Sequence, residues 1–210
     1  MDEQFVFDIA QPYDLFDLIA CVQDTFPEHE PMSRALRLKR EDYLPYSDLV
    51  CKKAVDERMT IVIRSHRTTK LVGFCINEDF ASALEYSKAR ISPKMQPLLA
   101  LLEDLDRRHL GDQLPPKKKV FHLYMLGVLP EFANYGLGKE LVNRSLQMAK
   151  EKGFAQAVVE ATGPVSQKIC RKVPFVERQA VAYESFRYRG EPVFRNIEGV
   201  THCHLMDRAI

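Results

Sequence analysis

The chain of 210 residues has no tryptophan, only nine glycines, and a formal net charge of just +1. With 30 Lys and Arg against 29 Asp and Glu, no overall field draws it to nucleic acid or to an anionic membrane. Five cysteines, Cys21, Cys51, Cys75, Cys170 and Cys203, are odd in number, irregularly spaced and free of any CxxC pair. That pattern excludes a disulfide framework and the common zinc spacings. Long apolar runs are also missing: the longest aliphatic stretch, Leu98 to Leu102, falls far short of the ~20 residues of a membrane span. The opening MDEQFVFDIAQPYDLF is acidic where a secretory leader is basic. Internal repeats and low-complexity tracts are absent. These exclusions lead us to expect a cytoplasmic protein, a monomer or weak homodimer, whose partners are small molecules, with no nucleic acid, membrane or metal. Against roughly 150 residues per domain, 1–210 reads as a single domain.

Helical periodicity at Leu15, Phe16, Leu18 and Ile19 runs toward a break at FPEHEP, and a second helix is expected near Ser33, capped by its hydroxyl. Two runs rich in β-branched residues, Ile61 to Arg64 and Leu71 to Asn77, flank a polar turn and predict a hairpin. Residues 80–119 read as a helical insertion, with an amphipathic stretch from Gln96 to His109 followed by GDQLPPKKK. Strand character returns over Val120 to Val128. A helix follows over Lys139 to Lys152, then strands at Ala157 to Glu160, around Val181 to Tyr188, and at Val200 to Met206. The class is α/β.

The most informative stretch is MLGVLPEFANYGLGKELV, residues 125–142. A strand, a tight glycine turn and a helix direct free N–H groups and a positive helix end at one point, a geometry that binds phosphate. Gly136 and Gly138 let an anion approach the backbone, and Leu137 turns inward. Two other phosphate loops do not fit: Glu140 follows Gly138-Lys139 where a Walker loop needs Ser or Thr, and the third glycine of GxGxxG is Leu141.

In this order, Gly127-Val128, Pro130-Glu131 and the loop Ala133 to Gly138 resemble the acetyl-CoA signature of the GNAT superfamily of N-acetyltransferases. The resemblance implies a mixed, mostly antiparallel sheet splayed at its middle and flanked by helices. Leu126, Gly127, Val128, Asn134, Tyr135, Gly136, Leu137, Gly138 and Lys139 would hold acetyl-CoA. Ala133 stands where the family has Arg or Gln, leaving the backbone donors to carry the phosphates; Pro174 stands where the family usually has Gly, removes a backbone donor and should tighten the helix exit.

FPEHEPMSRAL further resembles the first substrate loop of invertebrate arylalkylamine N-acetyltransferases of the dopamine type. The resemblance places the catalytic base at Glu30 and maps that subfamily's two hydroxyl residues onto Ser166 and Cys170. Such an enzyme would acetylate dopamine, tyramine, serotonin or tryptamine. The chemistry agrees, since a primary amine of pKa ~10.4 is about one part in a thousand unprotonated at neutral pH and needs a base. His122 and Tyr124, two apart on a strand, share a face; with Phe26, Pro31 and Tyr183 they are candidates for the acceptor site. His122 is the reserve base, although ordinary core packing explains that strand pair as well. His202 and His204 lack a third ligand nearby and read as packing. Acetylation of a polyamine or a protein N-terminus, and a non-catalytic acyl-CoA-binding role, remain alternatives.

Overall fold

The computed structural model describes residues 4–83 and 91–210, so 84–90 of the expected insertion and the first three residues lie outside the described residues. The main sheet comprises β1 (Phe5–Ile9), β2 (Ile61–Ser65), β3 (Leu71–Asp79), β4 (Val120–Val128), β5 (Gln156–Ala161), β6 (Val176–Ala182) and β9 (His202–Ala209). Its spatial order is β1-β2-β3-β4-β5-β9-β6, and β7 (Arg187–Tyr188) and β8 (Glu191–Pro192) pair separately. Every neighbouring pair in the main sheet is antiparallel except β4 and β5. Helices α1 (Leu15–His29), α2 (Pro31–Ala35), α3 (Arg40–Glu57) and α4 (Gln96–Leu110) lie on one face, and α5 (Leu137–Glu151) and α6 (Pro164–Lys172) on the other. With both faces covered, β3 is buried from Leu71 through Glu78, which explains its nearly continuous apolar run.

Three sequence expectations change. Helix α1 does not break at FPEHEP but passes through Pro27 to His29, since the proline lies near the helix end. The next helix starts at Pro31 and its cap is the Glu30 carboxylate; Ser33 is its third residue. The strand expected over Val181 to Tyr188 is two elements, β6 ending at Ala182 and β7 starting at Arg187.

Two irregularities in β4 shape the centre of the sheet. Opposite β3, Ile76 pairs with Met125 and Asn77 with Leu123, so Tyr124 is an extra residue in a β-bulge. The bulge shifts the side-chain phase: Leu123 and Leu126 face the α5 and α6 side, whereas Tyr124 and Met125 both face α1 and α3. The buried Asn77 amide pins this region, donating to Met59 O at 2.9 Å and to Ser145 Oγ at 3.0 Å. Toward β5, pairing runs only from Val120↔Gln156 through His122↔Val158. Beyond that, β4 stays with β3 up to Val128, while β5 stays with β9 up to Ala161. The strands therefore fork after His122, and among the described residues the β4 backbone from Leu123 onward has no strand partner on the β5 side.

Candidate active site

Glu30 lies over the mouth of the fork. Residues preceding proline are steered into extended conformation, and Glu30, at φ −79 and ψ 127, ends α1 and begins α2. Its Oε1 accepts from Met32 N–H at 3.0 Å; Oε2 accepts from Ser33 N–H at 2.6 Å and from the Ser33 hydroxyl at 2.6 Å. Upstream, Thr25 and the Phe74 ring close on Gly127, where an added Cβ would come within 2.7 Å of Phe74 and 3.0 Å of Thr25 Oγ1. Downstream, a Cβ on Gly163 would lie 3.4 Å from the Pro31 ring, so the Glu30-Pro31 corner rests on the turn that follows β5. Glu30 is thus held between the two diverging strands. Burial raises its pKa above the ordinary carboxylate value, and hydrogen bonds from Ser33, Met32 and Thr162 oppose that rise without cancelling it.

The glycine turn lies at the start of α5. Asn134 (φ 69) and Gly136 (φ 77) are left-handed, and the first turn of α5 has no side-chain cap. A Cβ at Gly136 would meet nothing within 4 Å, while one at Gly138 would meet Ile169 Cδ1 at 2.9 Å. The missing side chain at Gly138 thus lets α6 pack close against the start of α5. Leu137 is buried in the core, as its inward turn requires. Tyr135 is exposed beside this turn, with its ring 5.3 Å from that of Phe5, and Lys139 follows on the first turn of α5. Leu126, Gly127 and Val128 line the forked part of β4. Ser166 and Cys170 share α6, but only Ser166 is partly open; its hydroxyl donates to Gly163 O at 3.0 Å. Cys170 sits in the core, where burial pushes its thiol up to about 12.

His122 is neither free nor in ordinary packing. Its Nδ1 is 3.0 Å from Glu78 Oε1 and its Nε2 is 2.7 Å from Glu160 Oε2. Glu78 also takes Lys53 Nζ at 2.6 Å. Burial would depress the imidazole pKa, but Glu160 and Glu78 override it and hold the ring protonated well above its usual range. With both nitrogens facing carboxylates, the ring is a donor at each and turns no lone pair to the site. Asp106 on α4 completes the cluster. Burial and the neighbouring Glu160 push its carboxyl up to about 9, so it keeps its proton and shares it with Glu160. The cluster was missed from sequence because its members come from α3, β3, β4, α4 and β5.

Of the candidate acceptor residues, Phe26, Tyr124 and Tyr183 belong to the apolar core on the α1 and α3 side of the sheet. Tyr124, re-aimed by the bulge, places its hydroxyl 2.5 Å from that of Tyr46, and its ring centroid lies 5.2 Å from that of His122. Phe26 stacks on Phe74 at 6.2 Å and tilts against Tyr43 at 6.4 Å. Tyr183, edge-on to Phe194 at 5.9 Å, donates to Thr162 O at 2.6 Å and braces the turn against Pro31. A groove of about 560 Å³ between α4 and Ala180–Tyr188 contains none of these candidates and is lined by charged residues such as Glu103 and Arg107. Among the described residues no group of three or more His, Cys, Asp or Glu is arranged to hold a metal, and no helix is long and apolar enough to cross a membrane.

Comparison with known proteins agrees with this architecture. The C-terminal condensation domain of Ebony, solved in complex with beta-alanyl-dopamine, superposes with a TM-score of 0.90 at 16% identity, with both chains fully covered. Arylalkylamine N-acetyltransferase 2 from Aedes aegypti gives 0.84 at 20% identity over 99% of each chain. The Drosophila melanogaster polyamine N-acetyltransferase, which forms N-acetylagmatine, gives 0.75 at 15% identity over 99% of this chain and 100% of its own. At such identities these likenesses establish the fold. The family rests on the sequence itself: the model of the acetyltransferase (GNAT) family matches residues 22–172. The chain with the forked sheet belongs to the GNAT family of acetyltransferases, enzymes that use acetyl-CoA as co-substrate.

Proposed function

We propose that the chain acetylates the primary amine of an arylalkylamine, with Glu30 as the base. One observation carries the reading: a buried carboxylate of raised pKa, fixed over the opening between β4 and β5. The fork and turn suit acetyl-CoA. Leu126, Gly127 and Val128 offer backbone groups to the pantetheine arm, and Asn134 to Lys139 offer the uncapped first turn of α5 to the pyrophosphate. Glu30 takes a proton from the ammonium, and the freed nitrogen attacks the thioester carbonyl. A backbone N–H within Leu126–Val128 steadies the oxyanion. As the C–S bond breaks, the thiolate takes up a proton; Ser166, partly open on α6, is better placed to relay it than the enclosed Cys170.

The choice of amine follows from the walls. Phe26, Pro31, Tyr124 and Tyr183 offer aromatic and apolar surface. The buried carboxylates of Glu78 and Glu160 are already neutralised by His122 and Lys53. Neither is thereby open to the second cation of a polyamine, so a single ammonium on an aromatic body fits better. The likeness to proteins acting on arylalkylamines or holding beta-alanyl-dopamine supports this class.

The test combines Glu30→Gln with an amine panel. With tryptamine or dopamine, kcat/KM should fall roughly 10²-fold or more, and the acid limb of the pH profile should vanish. Thiol release that favours agmatine or spermidine over aromatic amines would overturn the substrate class. A Glu30→Gln enzyme with normal turnover and an intact acid limb would overturn the base.

A further inference from the structure

Two buried hydroxyls stand behind Glu30. Ser33 is fully enclosed. It has one proton to give, and its Oγ lies 2.6 Å from Glu30 Oε2, an oxygen that can only accept while the carboxylate is ionised. Its other neighbour is the Tyr43 hydroxyl at 2.7 Å, so at that contact Ser33 accepts and Tyr43 donates. Tyr43 is itself 1% exposed on α3. The hydrogens therefore run one way, from Tyr43 to Ser33 to Glu30. Oε2 receives two donors from Ser33 and Oε1 one from Met32, and Thr162 supplies a further hydrogen bond to the carboxylate.

Taking Glu30 as the base, we propose that Ser33 and Tyr43 are positioning residues of the acetyl transfer: a two-hydroxyl chain that fixes the Glu30 rotamer and occupies Oε2. Neither touches a reacting atom. The Ser33 hydroxyl favours the ionised carboxylate against the burial that disfavours it, so it sets the pH at which the base becomes available. The groups facing Glu30 from other elements do not confuse this readout. Tyr43 and Tyr46 of α3, Tyr183 after β6 and Cys203 of β9 are all pushed upward by burial and stay neutral. Its charged chain neighbours Glu28, His29 and Arg34 are exposed.

The experiment is the pH dependence of kcat/KM with tryptamine for wild type, Ser33→Ala, Ser33→Thr, Tyr43→Phe and Glu30→Gln, each checked for folding by its urea midpoint. Loss of a hydrogen bond to a charged group should raise the acid limb of Ser33→Ala by about one pH unit, roughly tenfold in activity below the limb, with a far smaller loss on the alkaline plateau. Ser33→Thr should restore the limb, and Tyr43→Phe should move it less, in the same direction. An unmoved limb with a uniformly lowered plateau would mean a merely structural role and overturn the inference. Should Ser33→Ala not fold, Ser33→Thr and Tyr43→Phe still decide the point. If Glu30→Gln keeps the limb, the base is misassigned; if it abolishes the limb while Ser33→Ala leaves it in place, only the positioning chain fails.

Discussion

Asp106→Asn should stabilise this protein, and increasingly so as pH rises. In the folded chain the Asp106 carboxyl is pushed up to about 9, by burial first and by Glu160 second, from an ordinary value of 3.8. Between those values the folded state binds a proton that the unfolded chain has released. Stability therefore falls with rising pH, by about 1.4 kcal/mol per unit for one such group. From pH 5 to pH 7 the Asp106 contribution worsens by up to ~2–3 kcal/mol, with relaxation of the cluster reducing it. Asparagine keeps the size and presents an N–H donor to Glu160 without taking up a proton. The stabilities of variant and wild type should thus lie closest near pH 4 and separate progressively toward pH 8, the variant being the more stable. The other titrating groups occur in both proteins and largely cancel in the difference. Urea unfolding at four pH values measures it. A gap independent of pH, or a variant less stable at pH 8, would refute the shared proton and with it the picture of α4 docked by a neutral acid.

Further outcomes follow from the same geometry. His122→Phe strands Glu160 as a buried carboxylate and leaves Glu78 with Lys53 alone, and a loss of roughly 3–5 kcal/mol in urea unfolding is expected. Gly136→Ala forces a side chain into left-handed backbone (φ 77), at a cost of about 1 kcal/mol in the turn; steady-state kinetics should show a higher KM for acetyl-CoA and an unchanged KM for the amine. Cys170→Ala should lower kcat less than about tenfold, because a thiol held near 12 in the core is a poor proton shuttle or nucleophile. Intact-mass measurement should find no acetyl-cysteine in the wild type.

Much of the frame was legible because its signals are local. Val120 to Val128 is the strand its apolar run predicted, and the hairpin, the turn at Gly136 and helix α5 lie within a few residues of expectation. Helix α3 was not read, for a chemical reason: its buried stripe is Tyr43, Tyr46, Ser47, Val50, Cys51 and Ala54, spaced as a helix requires but built from tyrosine and small residues instead of leucines, with Pro45 in between. The Glu-Pro corner drew attention through a resemblance, yet nothing in FPEHEP announced that the glutamate would cap the helix it begins. The charged cluster was beyond reach, since no periodicity links Lys53 to Asp106 or Glu160; only tertiary folding brings them together. The bulge at Tyr124 escaped for a related reason, because an extra residue becomes visible only against its partner strand.

The ion cluster lies at the point where β4 and β5 part. His122 is in their last shared pair, Glu78 faces it from β3, and Glu160 reaches back to it from just past the split. Together they act as a rivet in the crotch of a tuning fork: the prongs cannot unzip further without separating an imidazolium from a buried carboxylate. The width of the opening between β4 and β5 is therefore set by a fixed crotch, whereas the short α2 segment and its Glu30 corner are held by hydrogen bonds instead of an ion pair. Under the function proposed above, admission of the amine falls to this corner, while the strands keep the gauge.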